Sequence, residues 1–141
     1  GGAVDLSVDQ KPQNPVERRR IEAAGGSVER WGPCWRIDAG LNLSRALGDF
    51  AYKANPGKSA KEQKVIAEPE IQEFWTCASD DFIIIGSDGV FEVHSSESLV
   101  QALQDSKRRG ATPAAALEAA LQRSLPSGDN VSLCMVEFLR G

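Results

Sequence analysis

The amino-acid sequence predicts an α+β fold, because its strand and helix signals fall into separate groups along the chain. Capped helical patterns occupy residues 14–26, 95–110 and 112–125, and strand patterns occupy residues 82–86 and 131–138. The 141 residues are enough for one domain with its own core. We therefore treat residues 1–141 as part of a single domain containing antiparallel strands.

The first helix is predicted at residues 14–26. Asn14 is a suitable N-cap, the next residue is a proline, and Glu17 occupies the capping-box position. A pair of glycines ends the pattern. On this interpretation Val16 and Ile21 face the core, and the three arginines of the helix face water.

A β-meander is predicted next, with short strands at residues 27–31, 34–37 and 41–44 separated by turn sequences. The polar segment 54–63, which contains Pro, Gly, Ser and Lys and has no large apolar residue, is predicted to be an exposed and mobile loop. Residues 64–76 are predicted to form two short strands interrupted by a proline.

The last third of the chain carries the clearest patterns. Three consecutive isoleucines within residues 82–86 favour a buried strand, and the Asp-Gly pair that follows is predicted to form a turn. Ser95 or Ser96 is placed to cap one helix and Thr112 to cap the next. Residues 131–138 are predicted to form a strand with apolar residues on both faces, as expected between two layers.

Composition excludes several classes of function. The net charge is −4 and basic residues do not form a large patch, which argues against a nucleic-acid or membrane partner. Three cysteines without metal-ligand spacing favour reduced thiols in the cytoplasm or nucleus. One histidine excludes a His-rich zinc site, so a metal site here must use oxygen ligands, as Mg²⁺, Mn²⁺ or Ca²⁺ prefer.

Two aspartates stand at the ends of predicted strands. Asp88 follows the isoleucine strand, and Asp129 precedes the last strand. If these strands pair antiparallel, both carboxylates arrive at one edge of the sheet. Their mutual repulsion would then favour a divalent cation between them. Because Asp-Gly and Gly-Asp-Asn are also common turn sequences, the pattern by itself leaves ordinary turns as an alternative.

Six segments, in order, resemble the C-terminal half of the metal-dependent protein Ser/Thr phosphatases of type 2C. They are LSVDQKP, ERRRIEAAGGSV, LNLSRALGDFAYK, VIAEPEI, DDFIIIGSDGVFEV and SGDNVSLCMVEF. Three positions depart from the family pattern: Gln10 replaces the usual His, Asn42 a frequent Ala, and Glu92 the usual Asp. Neither presumed ligand is affected.

The resemblance implies the C-terminal portion of a four-layer αββα sandwich with two antiparallel sheets. It also implies that Asp88 and Asp129 are ligands of a site holding two or more Mg²⁺ or Mn²⁺ ions. The implied reaction is attack of a metal-activated water on phosphoserine or phosphothreonine in a phosphoprotein substrate, without a phospho-enzyme. No catalytic residue beyond the metal ligands is expected in this chain.

The segments that supply the family's other ligands, its phosphate-binding arginine and its general acid have no equivalent here. The expectation is therefore that a missing N-terminal half or a partner chain completes the site. Two other hypotheses remain open: a catalytically inactive phosphatase-like binding or regulatory module, and a simple Ca²⁺-binding domain.

Three further residues are candidates for a supporting role. Arg45 and Asp49, both within SRALGD, are predicted either to support the site as a pair or to belong to a local polar network. Asn130 is expected to orient Asp129 or to cap its turn. The three tryptophans are assigned to core or edge packing in preference to a recognition surface.

Overall fold

The computed structural model describes residues 2–138. The chain divides into two compact units. The middle unit comprises Ser7–Gln72, and the C-terminal unit comprises residues 2–6 together with residues 73–138. Both units combine helices with a small antiparallel sheet, which confirms the mixed helix and strand prediction. No helix in the described part of the chain has the length and apolar character needed to cross a membrane.

The middle unit contains helix α1 (Pro15–Ala23) and a hairpin of strands β1 (Val28–Trp31) and β2 (Cys34–Ile37). The strands pair antiparallel, with Val28 opposite Ile37 and Trp31 opposite Cys34. Its core is apolar and centres on four buried residues, namely Ile21, Val28, Ile37 and Val65. The first helix and the first two strands therefore form where the sequence predicts them.

Helix α1 differs from its prediction in which side chains it buries. Val16 is 63% exposed, whereas Glu17 is fully buried. Asn14 makes no capping bond, and its amide donates instead to the Asp9 carbonyl. The predicted capping box is wrong because the Glu17 carboxylate is engaged inside the unit by charged partners.

Two predicted strand regions of the middle unit are not strands. Across residues 41–44 and 64–76, all of them described, the backbone forms only isolated bridges, Ile37 with Leu41 and Arg45 with Ile66. Strand-like composition did not suffice, because a strand needs a partner with which to form a ladder of hydrogen bonds. The segment 54–63 is an organised loop: the Gln63 side chain, only 4% exposed, bonds to the backbone of Asn55 and Lys58.

The C-terminal unit pairs β3 (Phe82–Gly86) with β4 (Leu133–Glu137) in antiparallel fashion. Helices α3 (Ser96–Arg108) and α4 (Pro113–Ser124) pack on one face of this sheet. Ser95 and Thr112 cap these helices through their hydroxyl groups, as predicted. The core between helices and sheet is centred on five buried residues, namely Val90, Leu99, Leu103, Ala116 and Ala120.

Candidate metal centre

The two predicted ligand positions lie together at one end of the β3–β4 sheet. Gly86, the last residue of β3, is opposite Leu133, the first residue of β4. Asp88 lies just beyond the end of β3, and Asp129 lies just before β4. The antiparallel pairing assumed from the sequence is confirmed, and it brings the two carboxylates to the same edge of the sheet.

A third carboxylate, Glu92, belongs to the same cluster. Asp88, Glu92 and Asp129 each offer an oxygen, and these oxygens lie within 4.8 Å of one another. All three residues are exposed to solvent. From the sequence, Glu92 was noted only as a departure from the family pattern and was not among the candidate ligands.

A short helix explains how Glu92 reaches the cluster. Asp88 is the first residue of α2 (Asp88–Phe91), so the predicted Asp-Gly turn is instead the start of a helical turn. Residues four apart lie on the same side of a helix, which places Glu92 beside Asp88. Val90, fully buried in the core, anchors this turn. The four-residue spacing of Asp88 and Glu92 could have indicated that they lie side by side on a helix. It was not used, because the Asp-Gly pair was interpreted as a turn.

Gly89 allows the two ligand segments to approach closely. A Cβ atom at this position would lie 2.6 Å from the Asn130 carbonyl oxygen, closer than real Cβ contacts permit. The obstacle is backbone, which cannot move aside as a flexible side chain can. The glycine after Asp88 is therefore explained by close packing against the segment that carries Asp129.

Ser87 connects the segment that carries Asp88 to the segment that carries Asp129. It was not identified from the sequence. Its hydroxyl donates to the Asn130 carbonyl and accepts from the Ser132 N–H, both at 3.0 Å. Its own N–H donates to the Ser132 carbonyl. Within one to three residues of the aspartates, the two strand ends are thus joined by three hydrogen bonds.

Neighbouring backbone amides also orient the two aspartates. The Gly89 N–H donates to Asp88 Oδ1 at 3.1 Å, and the Asn130 N–H donates to Asp129 Oδ1 at 2.7 Å. The contact of Asn130 with its neighbour is made by its backbone, and a supporting role for its side chain remains a prediction. An oriented carboxylate loses less freedom when it binds a cation, so the arrangement favours coordination.

The donor set fits a hard divalent cation. It consists of carboxylate oxygens alone, the ligand type of Mg²⁺, Mn²⁺ and Ca²⁺. Ligand oxygens on opposite sides of an octahedral Mg²⁺ are about 4 Å apart, since each lies about 2 Å from the ion. A spacing of up to 4.8 Å reaches that value with small rotations of exposed side chains. A bound cation would also relieve the repulsion among three carboxylates.

Arg45 and Asp49 lie in the middle unit, and their predicted support of the site remains a prediction. The Arg45 guanidinium bonds to Glu17, with Nη2 at 2.8 Å from Oε1, and not to Asp49. Asp49 adopts a left-handed conformation with φ 50° at the start of a short 3₁₀ helix. For Arg45, the alternative of a local polar network matches these contacts.

Glu17 is the centre of that network. Burial alone would raise the pKa of its carboxyl group, but hydrogen bonds from Arg45, Arg20 and Ser44 outweigh burial and lower the pKa to about 2. The Ser44 hydroxyl donates at 2.6 Å, and Arg20 Nη2 lies 2.8 Å from Oε2. This buried carboxylate is neutralised by the protein itself, so it has a structural role.

Two of the three tryptophans do not pack as predicted. Trp35 packs against the core of the middle unit, and the Arg18 guanidinium lies 5.8 Å from its ring centre. Trp31 is 53% exposed and Trp75 is 99% exposed. Residues 67–79, which include Trp75, are all exposed, so no residue of this segment belongs to a hydrophobic core.

Comparison with known proteins agrees with the architecture. The family model for protein phosphatase 2C matches residues 1–129. Protein phosphatase ppm-1.G of Caenorhabditis elegans is 41% identical over 119 residues, and probable protein phosphatase 1N of Homo sapiens is 39% identical over 140 residues. These alignments cover 84% and 97% of the chain but only 23% and 32% of the two relatives.

A solved structure shows the same fold. The crystal structure of a phosphatase from Toxoplasma gondii superposes with a TM-score of 0.88 at 34% sequence identity. The match covers 96% of this chain and 42% of that one. The chain thus spans well under half the length of these similar proteins. Because the family model accounts for most of its residues, the chain belongs to the protein phosphatase 2C family.

Proposed function

We propose that this chain is part of a metal-dependent protein serine/threonine phosphatase and supplies part of its Mg²⁺ or Mn²⁺ site. The observation that carries the proposal is the convergence of Asp88, Glu92 and Asp129 at one sheet edge in a chain of this family. Asp88 and Asp129 are the proposed principal ligands. Glu92 is proposed as an additional ligand, because its side chain, although longer than that of the family's usual Asp, still reaches the cluster.

The proposed division of labour follows from the geometry. When bound, divalent ions supply Lewis-acid chemistry, activating water and neutralising charge on the transferred phosphoryl group. Asp88 and Asp129 would bind and orient the ions, and the Gly89 and Asn130 N–H groups hold the carboxylates in place. Ser87 and the buried Val90 keep the two ligand segments in register.

We also propose that the C-terminal unit contributes a sheet and the helices that cover it to a four-layer αββα sandwich. Helices cover one face of its sheet, whereas the opposite face is apolar: Ile85 is 61% exposed and Val136 is 47% exposed. Across that face Ile83 pairs with Val136, and Ile85 with Cys134. Apolar sheet faces of this kind are normally covered by a second layer.

We propose that the N-terminal half of the domain covers this apolar face. That half would be supplied by another segment of the same protein or by a partner chain. In this view residues 1–141 form the C-terminal part of one phosphatase domain, and the missing half adds the remaining metal ligands. The proposed substrate is a phosphoserine or phosphothreonine side chain of a protein. The proposed compartment is the cytoplasm or nucleus, consistent with three cysteines that form no disulfide.

Metal binding is tested first by calorimetric titration of Mn²⁺ and Mg²⁺ into the 141-residue chain. We expect weak binding that is abolished in the Asp88→Asn/Asp129→Asn variant. Glu118→Gln is a matched control, because this exposed carboxylate on α4 bonds only to Gln122 among the described residues. Equal binding by the double variant and the unmodified chain would contradict the proposed ligands.

Activity is tested in a chimera that joins this chain to the part of the Toxoplasma gondii phosphatase outside the aligned region. We expect Mn²⁺-dependent hydrolysis of a phosphoserine peptide and of p-nitrophenyl phosphate. The Asp88→Asn/Asp129→Asn chimera should lose both activities while keeping its circular dichroism spectrum. A folded chimera that binds Mn²⁺ but hydrolyses neither compound would favour an inactive, phosphatase-like module.

A further inference from the structure

A second feature that can bind a ligand lies in the middle unit, in the loop that follows Lys53. The loop borders a cavity of about 440 Å³ that is open to solvent. Four polar residues line it, namely Lys53, Asn55, Lys58 and Gln63, and the rest of the lining is alanine and proline. This volume falls within the usual range for small-ligand sites.

Internal hydrogen bonds hold the walls of this cavity in shape. The Gln63 amide accepts from the Asn55 N–H at 3.0 Å and donates to the Asn55 and Lys58 carbonyls at 2.8 and 2.9 Å. The Asn55 side chain donates to the Ala24 carbonyl and accepts from the Gly57 N–H. A ligand would therefore meet a preformed wall, which reduces the entropy cost of binding.

The cavity lining carries positive charge and no carboxylate. The Lys53 ammonium donates to the Ala46 carbonyl at 2.6 Å, and an ammonium group has three donors. Lys58 interacts electrostatically with Glu62, whose carboxylate already accepts from the Ser59 N–H and hydroxyl. By contrast, the neighbouring Lys61 forms an ion pair with Glu68.

The Gln63 amide is fully used by these bonds, and the Asn55 side-chain nitrogen keeps one N–H, so the cavity side chains offer a ligand only donors, most of them cationic. We propose that this cavity binds an oxyanion of the phosphate class, either inorganic phosphate or a phosphate monoester on a polypeptide. Lys53 and Lys58 supply the charge, and the small alanine and proline residues leave room for the group that carries the phosphate. The proposal is independent of the metal centre and of the proposed phosphatase activity.

The test is a titration of inorganic phosphate into the ¹⁵N-labelled 141-residue chain, followed by ¹H–¹⁵N NMR at constant ionic strength. It uses the metal-free Asp88→Asn/Asp129→Asn variant, so that phosphate cannot bind through a metal ion. We expect saturable shifts at the backbone amides of Asn55, Gly57 and Lys58. Lys58→Met should weaken binding about fivefold, the effect of roughly 1 kcal/mol of lost electrostatic attraction.

Lys61→Met is the matched control, because it removes a nearby lysine outside the cavity lining, and it should change the dissociation constant less than twofold. Lys53→Met should weaken binding as Lys58→Met does. Unchanged amide positions elsewhere in the spectrum will show that each variant folds. Shifts that do not saturate, or that are the same in Lys58→Met and Lys61→Met, would overturn the proposal.

A second titration distinguishes the two sources of phosphate. A phosphoserine tetrapeptide and its unphosphorylated form are titrated under the same conditions. Tighter binding of the phosphopeptide than of inorganic phosphate would identify a phosphorylated polypeptide as the ligand, and weaker binding would identify free phosphate. Equal binding of the phosphorylated and unphosphorylated peptides would overturn the proposal.

Discussion

The two units of this chain hold carboxylates in opposite surroundings. In the middle unit Glu17 is fully buried, and two guanidinium groups and a hydroxyl surround it. In the C-terminal unit Asp88, Glu92 and Asp129 converge in solvent, and neither Glu92 nor Asp129 forms an ion pair within residues 2–138. Glu17 is neutralised by cationic side chains, whereas the second site brings three carboxylates close together.

This difference separates a structural site from a candidate binding site. A buried carboxylate must be paired to offset its loss of hydration, so its partners are part of the fold. Exposed carboxylates held close together gain little from one another and are stabilised by an added cation. Changes to the Glu17 network should therefore affect the folding of the middle unit, and changes to the acidic cluster should affect metal binding.

The largest effect is expected from Glu17→Gln. The variant leaves Arg20 and Arg45 largely buried without their carboxylate, which should lower the free energy of unfolding by about 3–5 kcal/mol. Urea denaturation followed by tryptophan fluorescence measures this loss, since Trp35 packs against the same core. Glu22→Gln is the control: its pair with Arg18 on the same helix is exposed and contributes about 0.5 kcal/mol or less. Similar losses in both variants would contradict the assignment of Glu17.

The contribution of the Glu17 network to the free energy of unfolding should depend on pH. The pKa of Glu17 is lowered to about 2 in the folded chain, so between about pH 4.5 and pH 2 the unfolded chain binds more protons. The stabilisation is complete above about pH 4.5 and is lost as the pH falls towards 2. We expect the stability difference between the unmodified chain and Glu17→Gln to shrink by about 3 kcal/mol over this range. A difference that stays constant from pH 6 to pH 2 would show that Glu17 is not held ionised.

Gly89→Ala should affect the metal centre more than a typical surface change. The added methyl group must displace the Asn130 carbonyl, which should cost about 1–3 kcal/mol and move Asp129 away from Asp88. We expect Mn²⁺ affinity to fall about tenfold, which corresponds to about 1.4 kcal/mol. Gly57→Ala is the control, because its Cβ would meet only the Asn55 side chain, at 3.4 Å. Unchanged Mn²⁺ affinity in Gly89→Ala would show that the close approach is not needed for binding.

The smallest effect is expected from Glu92→Gln. Removing one negative charge should weaken Mn²⁺ binding about threefold, because an amide oxygen is a poorer ligand than a carboxylate. In the absence of metal, the free energy of unfolding should stay the same or rise by up to about 0.5 kcal/mol, since repulsion within the cluster decreases. Calorimetry and urea denaturation measure the two quantities. A large loss of stability without metal would instead indicate that Glu92 has a structural role.

Sequence reasoning succeeded where local signals agreed with the fold. The caps at Ser95 and Thr112 and the isoleucine strand form as predicted, because each depends on neighbouring residues. The predicted burial of that strand is wrong for the described residues, since none of its residues is buried and Ile85 is 61% exposed. It failed for residues 41–44 and 64–76, whose strand propensity lacks a pairing partner in the structure described. The fate of a weak strand depends on contacts distant in sequence, which a local pattern does not contain.

The candidate site, like the fold, was predictable from the sequence only in part. Asp88 and Asp129 were identified from their positions at strand ends, and the antiparallel pairing that joins them is confirmed. Glu92 was missed because the Asp-Gly pair was assigned to a turn when it begins helix α2. Glu17 was assigned to a helix cap because nothing near it in the sequence shows that Ser44 and Arg45 approach its carboxylate.

The sequence by itself determined the family, the order of the main helices and strands, and the two aspartates at the strand ends. These depend on motifs and on short-range periodicity, which are complete within a few residues. Only the tertiary structure decided that Glu17 is paired and buried, that Glu92 joins the acidic cluster, and that Gly89 must lack a side chain. Each of these depends on distances between segments far apart in the chain, and burial and electrostatic energy are set by those distances.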